Sequence, residues 1–243
     1  MKNVVFVLLR TFVLVGLVPA LLVGLVACVP DDELQEEKSK YEAVDLGLSV
    51  KWASCNVGAT SPEEYGDYYA WGETEVKTNY SWSTYIWCNG GYDSQTKYCT
   101  SSDYGTVDNK VTLEPKDDVA RVKWGGSWRM PTFDEIQELC DCCTWKWTSV
   151  NGVNGYKVTG TNGDSIFLPA AGIQNNEYEY EDGFDGIYDR GSYGYYWSAT
   201  LWSATLREDF SHAACRFYFS ADYHYWDPYD RCVGHSVRPV KEE

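Results

Sequence analysis

Beyond its first 27 residues the chain has no long apolar run, so no later segment offers the roughly 20 apolar residues that a membrane-spanning helix needs. It is poor in positive charge, with 20 Lys and Arg against 36 Asp and Glu in 243 residues. Without Lys2 and Arg10 of the leading segment the basic count falls to 18 against the same 36 acids, a formal net of −18. Such a surface repels phosphate backbones and argues against nucleic acid as a partner. Histidine is scarce: His212, His224 and His235 all fall in one irregular C-terminal stretch. His224 with Asp222 or Asp227 does not make a nucleophile, base and orienter set, so catalysis is not expected. No histidine lies near Cys140, Cys142 and Cys143, and their spacing is not that of paired C-x-x-C ligands, which argues against zinc. Asn and Gln are absent from Tyr193 to Val240, leaving no amide ligands there for an ordered calcium cage. The expectation is a protein with no cofactor, no metal and no catalytic residue.

The front of the chain carries an export signal. Lys2 and Arg10 are followed by the apolar run Thr11–Ala27 and by small residues before Cys28, so residues 1–27 read as a lipoprotein signal peptide. Leu25-Val26-Ala27-Cys28 resembles the bacterial lipobox, which makes Cys28 the lipidated mature N-terminus. An uncleaved anchor is the alternative, since Val4–Ala27 is long enough to span a bilayer, but Arg10 interrupts it. Residues 28–40 are acidic and polar, too poor in apolar area to fold, and read as a flexible tether. Acidic residues directly after a lipid cysteine also resemble the surface-export signal of Bacteroidetes-type lipoproteins. The expected location is therefore the outer membrane at the cell surface, with the lipid as the only membrane contact.

About 200 residues remain, enough for one domain, 41–243, with a sizeable core. Abundant Trp, Tyr and Gly with Asn-Gly turns point to strands and loops rather than helices. Val44–Trp52 and Tyr65–Trp71 are strand candidates, and Trp82–Asp108 reads as an irregular insertion. Thr132 followed by Glu135 predicts a capping box at a helix start, and Ile136, Leu139, Cys140 and Cys143 recur at helical spacing as its buried stripe. Tyr156–Thr159 and Ser165–Leu168 flank Gly-Thr-Asn-Gly-Asp as a β-hairpin. The acidic loop Asn175–Arg190, with Asp182, Asp185 and Asp189, lacks an ordered calcium-ligand pattern and reads as a solvated loop. Apart from Cys28 there are eight cysteines, which allow 105 disulfide connectivities; Cys88 and Cys99, flanking a turn-rich segment, are the expected local pair. The pentapeptide WSATL occurs twice in succession, Trp197–Leu201 and Trp202–Leu206, too short for a structural repeat and read as a duplication that lengthens a loop.

The C-terminal stretch Tyr193–Val240 mixes two kinds of residue. Trp197, Phe217, Phe219, Trp226, Val237 and Val240 look like core, while Tyr, His, Asp, Ser, Arg and Ala lie irregularly between them. In an extended Arg216–Ser220, alternation sends Phe217 and Phe219 inward and Arg216, Tyr218 and Ser220 outward. Tyr223, Tyr225, Asp227 and Tyr229 continue an odd-numbered outward series, so a turn or bulge near Ala221-Asp222 is implied. Tyrosine set among small polar residues is the chemistry of binding loops. The residues expected to contact a ligand are His212, Arg216, Tyr218, Tyr223, Tyr225, Asp227, Tyr229 and Asp230.

Several blocks together carry a resemblance: VDLGLSVKWASCNVGA, YGDYYAWGET, WGGSWRMPTFDE, NGVNGYKVTG, SIFLPAAG, YGYYWSAT and SVRPV. From Tyr41 to Val240 the chain resembles the Fibrobacter succinogenes major paralogous domain family of Bacteroidetes. That resemblance implies an α+β, C-type-lectin-like fold in the version also used by formylglycine-generating enzymes. Such a fold is loop-rich, with one main helix, small mixed or antiparallel sheets and close termini, and would pair Val237–Val240 near Val44–Val50. Some proteins of this fold are variable proteins of diversity-generating retroelements, in which template adenines of a C-terminal repeat are rewritten. The relatives this chain resembles are rich in Asn before SVRPV, whereas this chain has no Asn after Asn176. Rewriting the first two bases of an AAC codon never yields Lys, Gln, Glu, Met or Trp, and between Arg207 and Val233 only Glu208 and Trp226 fall outside the reachable set. On that view Cys215 and Cys232 are products of diversification. The resemblance implies a ligand-binding surface lipoprotein, its variable-type region about 193–236, recognising a protein or glycan on a phage, host or neighbouring cell. A fixed carbohydrate-binding or adhesin module of the same fold is the alternative. Formylglycine-generating enzymes use cysteines near the C-terminus, but the surroundings of Cys215 and Cys232 do not match that motif.

Overall fold

The chain divides into two compact units, Met1–Lys38 and Ser39–Glu243. A computed structural model describes residues 41–176, 186–204 and 210–242, all in the second unit. The signal segment, Cys28, the tether, Asp182, Asp185 and residues 205–209 lie outside the described residues.

The first strand candidate is two strands. β1 (Ala43–Val44) and β2 (Lys51–Ala53) pair antiparallel, and residues 45–50 turn between them. The cause is local: the Gly47 N–H donates to Asp45 Oδ1 at 2.7 Å with Gly47 at φ +71°, while Leu46 is driven wholly into the core. Tyr65–Trp71 is extended but makes only an isolated bridge, Tyr69 with His235. The insertion Trp82–Asp108 holds one 3-10 turn, Trp82–Thr84, and is otherwise irregular.

Helix α1 (Val119–Trp124) is not evident from apolar periodicity, being only six residues long. Its signals are terminal: Asp118 accepts the N–H groups of Ala120 and Arg121, and Gly125 closes the last turn at φ +70°. β3 (Trp128–Arg129) leads into α2 (Phe133–Cys142), whose predicted capping box is present between Thr132 and Glu135. Arg129 grips the same Glu135 through both guanidinium ends, 2.6 and 2.8 Å. Ile136 and Leu139 are buried as the stripe predicted, with Cys140 and Cys143 packed at its margin; burial pushes the Cys140 thiol up to about 12.

β4 (Thr144–Val150), β5 (Val153–Thr159) and β6 (Ser165–Pro169) form an antiparallel meander. The expected hairpin is its second half, with β5 beginning three residues earlier. The first half turns on Asn151-Gly152, both at positive φ (49° and 84°), as a two-residue hairpin loop requires. β7 (Ile173–Gln174) and β8 (Ile187–Tyr188) pair at the base of the acidic loop. β9 (Gly194–Leu201), β10 (Ala213–Phe219) and β11 (His224–Asp230) make the second three-stranded sheet, ordered β11-β10-β9. β12 (Val240–Lys241) enters between β2 and β3, so the C-terminal strand pairs with Lys51 and Trp52, directly after the Val44–Val50 stretch near which it was expected.

The architecture is α+β and loop-rich, with small antiparallel sheets and few helices. One core cluster joins α2, the β4–β6 meander and Phe217 and Phe219 of β10; a second gathers Trp71, Trp197, Tyr69 and Val237. The Cys88–Cys99 bridge does not form. No disulfide joins the eight described cysteines; Cys88 Sγ lies 3.2 Å from the Trp82 carbonyl and Cys99 Sγ 3.1 Å from that of Ser101.

Candidate functional site: the tyrosine face of the C-terminal hairpin

β10 and β11 are joined through residues 220–223, where the Ser220 N–H donates to the Tyr223 carbonyl at 2.9 Å. This is the phase change expected near Ala221-Asp222. The register sets Phe217 opposite Trp226 and Phe219 opposite His224 on one face, and Arg216 opposite Asp227 and Tyr218 opposite Tyr225 on the other. Phe217 and Phe219 enter the main core. Trp226 is only half-buried, packed at a smaller cluster with Trp202, Ala213 and Cys215 and set edge-on to Phe133. β11 is the sheet's edge strand, which is where Pro228 can be carried without breaking a ladder.

Five of the expected contact residues, Arg216, Tyr218, Tyr225, Asp227 and Tyr229, share the outer face, and Tyr223 stands at its turn. Arg216 is not a free cation there. It is 8% exposed, bonded to both Asp227 oxygens at 2.7 and 3.1 Å, and its guanidinium carbon lies 3.6 Å from the Tyr229 ring centre. Tyr195 and Tyr218 flank it at 4.8 and 5.1 Å. Arg216 therefore supports the face from within. Tyr218 is half-buried; burial and then the Asp227 carboxylate raise its pKa.

His212 and Asp230 form a separate corner at the far end of the hairpin, 3.9 Å apart. His212 lies against Tyr104 (4.9 Å) and Tyr92 (5.8 Å) of the 82–108 insertion. That insertion is held by Arg231, which is fully buried and donates to the carbonyls of Lys97, Tyr98 and Ser211 and to the Tyr85 hydroxyl at 2.8–3.0 Å.

β9 and the residue before it add aromatic groups that the sequence reading did not include. Tyr193, Tyr195 and Tyr218 form a run of stacked rings at 5.9 and 6.1 Å, and the Tyr195 hydroxyl donates to Asp189 at 2.8 Å. Alternation in Tyr193-Gly-Tyr195-Tyr-Trp197 was the available signal, since it puts those three on one face. Beneath them His235 is fully buried, 4.1 Å from Trp197, 5.4 Å from Tyr229 and 5.7 Å from Tyr195. Burial, then the Arg216 charge, hold its pKa well below the ordinary 6.5.

His224 stacks on Trp145 at 4.6 Å, on the opposite side of β11 from Asp227. Cys215 and Cys232 are both fully buried. Among the described residues no group of three or more His, Cys, Asp or Glu is placed to hold a metal ion, and no helix is long and apolar enough to cross a membrane. A groove of about 650 Å³ lies elsewhere, between β1, the 60s loop and the β4–β6 meander, and shares no residue with the tyrosine face.

A family model described as Domain of unknown function (DUF8237) matches residues 135–240, from the first turn of α2 to β12. No curated protein matches the chain, and no solved structure does.

Proposed function

We propose that this protein is a lipid-anchored binding protein of the cell surface, recognising a protein or glycan ligand through the outer face of the β9–β11 sheet. The observation that carries this reading is the segregation across one hairpin. One side has Phe217 and Phe219 in the main core, whereas the other has tyrosines, Asp227 and a neutralised Arg216, buried at Tyr195 and Arg216 and open at Tyr223 and Tyr225. Tyrosine gives broad contact area at low entropic cost, and a few aromatic anchors dominate most interfaces. The same reading assigns the domain to the C-type-lectin-like fold and the 193–236 region to retroelement-driven diversification. Loop-rich α+β architecture and a C-terminal strand paired close to the domain's start support the first assignment.

The test has two arms. The coding segment for residues 193–240 and its flanks are sequenced across the source population; a nearby template copy, a reverse-transcriptase gene and mismatches confined to template adenines are expected. A fixed segment with neither neighbour would reject diversification and leave the fixed adhesin. Separately, Tyr218→Ala/Tyr225→Ala is expected to keep the cooperative thermal transition and to lose at least about tenfold in affinity, the scale of one or two truncated interface anchors, for whichever glycan-array or cell-surface protein hit the parent binds. Unfolding of that variant would remove Tyr218 and Tyr225 from the ligand surface.

A further inference from the structure

We propose that the corner formed by Tyr218, Tyr223 and Tyr225 receives a cationic side chain, lysine or arginine, from a protein partner; this rests on the reading of the outer face as the ligand surface. Tyr223 and Tyr225 are 45% and 54% exposed, the two most open aromatic residues of the hairpin. Both rings stand nearly perpendicular to Tyr218, at 85° and 5.9 Å and at 82° and 6.4 Å. Two open tyrosine rings set against a third offer electron-rich faces to solvent beside one another, and such a face attracts a cation. Two of the three are backed: Trp226 lies parallel to Tyr225 at 5.2 Å, and Tyr195 parallel to Tyr218 at 6.1 Å. The corner is therefore preorganised and loses little freedom on binding.

Charge selects the class of occupant. The three strands contain one arginine and no lysine, and that arginine is already bonded to Asp227. Asp222 is exposed at the turn and the Asp227 side chain keeps 31% of its surface. An incoming ammonium or guanidinium meets ring faces and the Asp222 carboxylate, while the pair of Asp227 and Arg216 is closed on itself. An acidic peptide or sialylated glycan meets like charge, and a neutral sugar uses the rings but not the charge.

The full chain, in detergent and with carbon-13-labelled tyrosine rings, is titrated with N-acetyl-lysine methylamide, its trimethyllysine counterpart, the neutral N-acetyl-norleucine methylamide and methyl glucoside. The expected result is saturable shifts of the Tyr218, Tyr223 and Tyr225 rings with both cations and none with norleucine, weakened about fivefold or more by Tyr225→Leu, as loss of one cation–π partner implies. The proposal is overturned if norleucine shifts the same rings as strongly, if Tyr225→Leu leaves the lysine titration unchanged, or if no probe moves them. Shifts with methyl glucoside alone would overturn it while leaving the outer face as a ligand surface, and the sequencing arm above judges that broader reading independently.

Discussion

His235 is a fully buried imidazole in an aromatic slot, its Nδ1 3.1 Å from the Gly234 carbonyl and its Nε2 enclosed without a hydrogen-bond partner. Protonation would place a second positive charge beneath Arg216. Its folded-state pKa therefore lies well below the ordinary 6.5, and between those two values the unfolded chain binds a proton that the folded chain does not. Stability must fall as pH drops below about 6.5, by up to about 1.4 kcal/mol per pH unit. Partial burial shifts His212 and His224 the same way. The lowered carboxylates, Asp108 and Glu135 among them, lose their contribution only as pH falls through lower values. Urea unfolding at about pH 7 and about pH 5, on either side of the ordinary imidazole range, should show the loss. His235→Phe, which suits the slot, should remove up to one proton's worth of that slope. An unchanged slope would mean that His235 is not its source. Three residues on, Arg238 is another buried cation, committed to Asn56 Oδ1 and the carbonyls of Ala53 and Phe167 at 2.8–3.0 Å.

At the scale of elements, the tyrosine face depends on how closely β9 lies against β10. Gly194 pairs with Phe219, and a methyl group at Gly194 would come within 2.2–2.7 Å of the Phe219 ring. Phe219 is fully buried and touches Tyr156, Tyr196 and Trp147, so it has no room to retreat. Gly194→Ala should cost about 1–3 kcal/mol, the range for overpacking a filled core, read as a lower denaturant midpoint. It should also weaken ligand binding, because the Tyr195–Tyr218 stack shares the same strand pairing. Elements governed by near neighbours are legible in the sequence: α2 from Thr132 and Glu135, β6 from its Gly-rich turn, and the phase change after Ser220. β4 is not, although Trp145 and Trp147 alternate with Thr144 and Lys146 and Asn151-Gly152 marks its turn, because that alternation is brief and follows at once on the helical stripe ending at Cys143. The Asp45 turn and the six-residue α1 escape for a similar reason, since each is too short to establish a period.

At the scale of the molecule, the domain is closed by its last strand. β12 lies inside the sheet ordered β1-β2-β12-β3, with Val240 fully buried against Trp52 and the α2 stripe. A chain ending at Arg238 would leave β2 and β3 without the strand that joins them and a hole where Val240 packs. It should lose the cooperative thermal transition by circular dichroism; a native-like transition would show that β12 is dispensable.

The sequence by itself determined which residues from Arg216 to Tyr229 share a face, because a strand's alternation is a property of the backbone, but not how deeply each is buried. It likewise determined the acidic balance and the helix cap, which depend on composition and on residues three apart. Tertiary structure alone decided that Arg216 is sheathed by Tyr229 and bonded to Asp227, that Tyr195 joins Tyr218, and that Arg231 ties the 82–108 insertion to the end of the hairpin. Those relations follow from strand pairing, register and buried hydrogen-bond demand, which bring together groups from 11 to 134 residues apart.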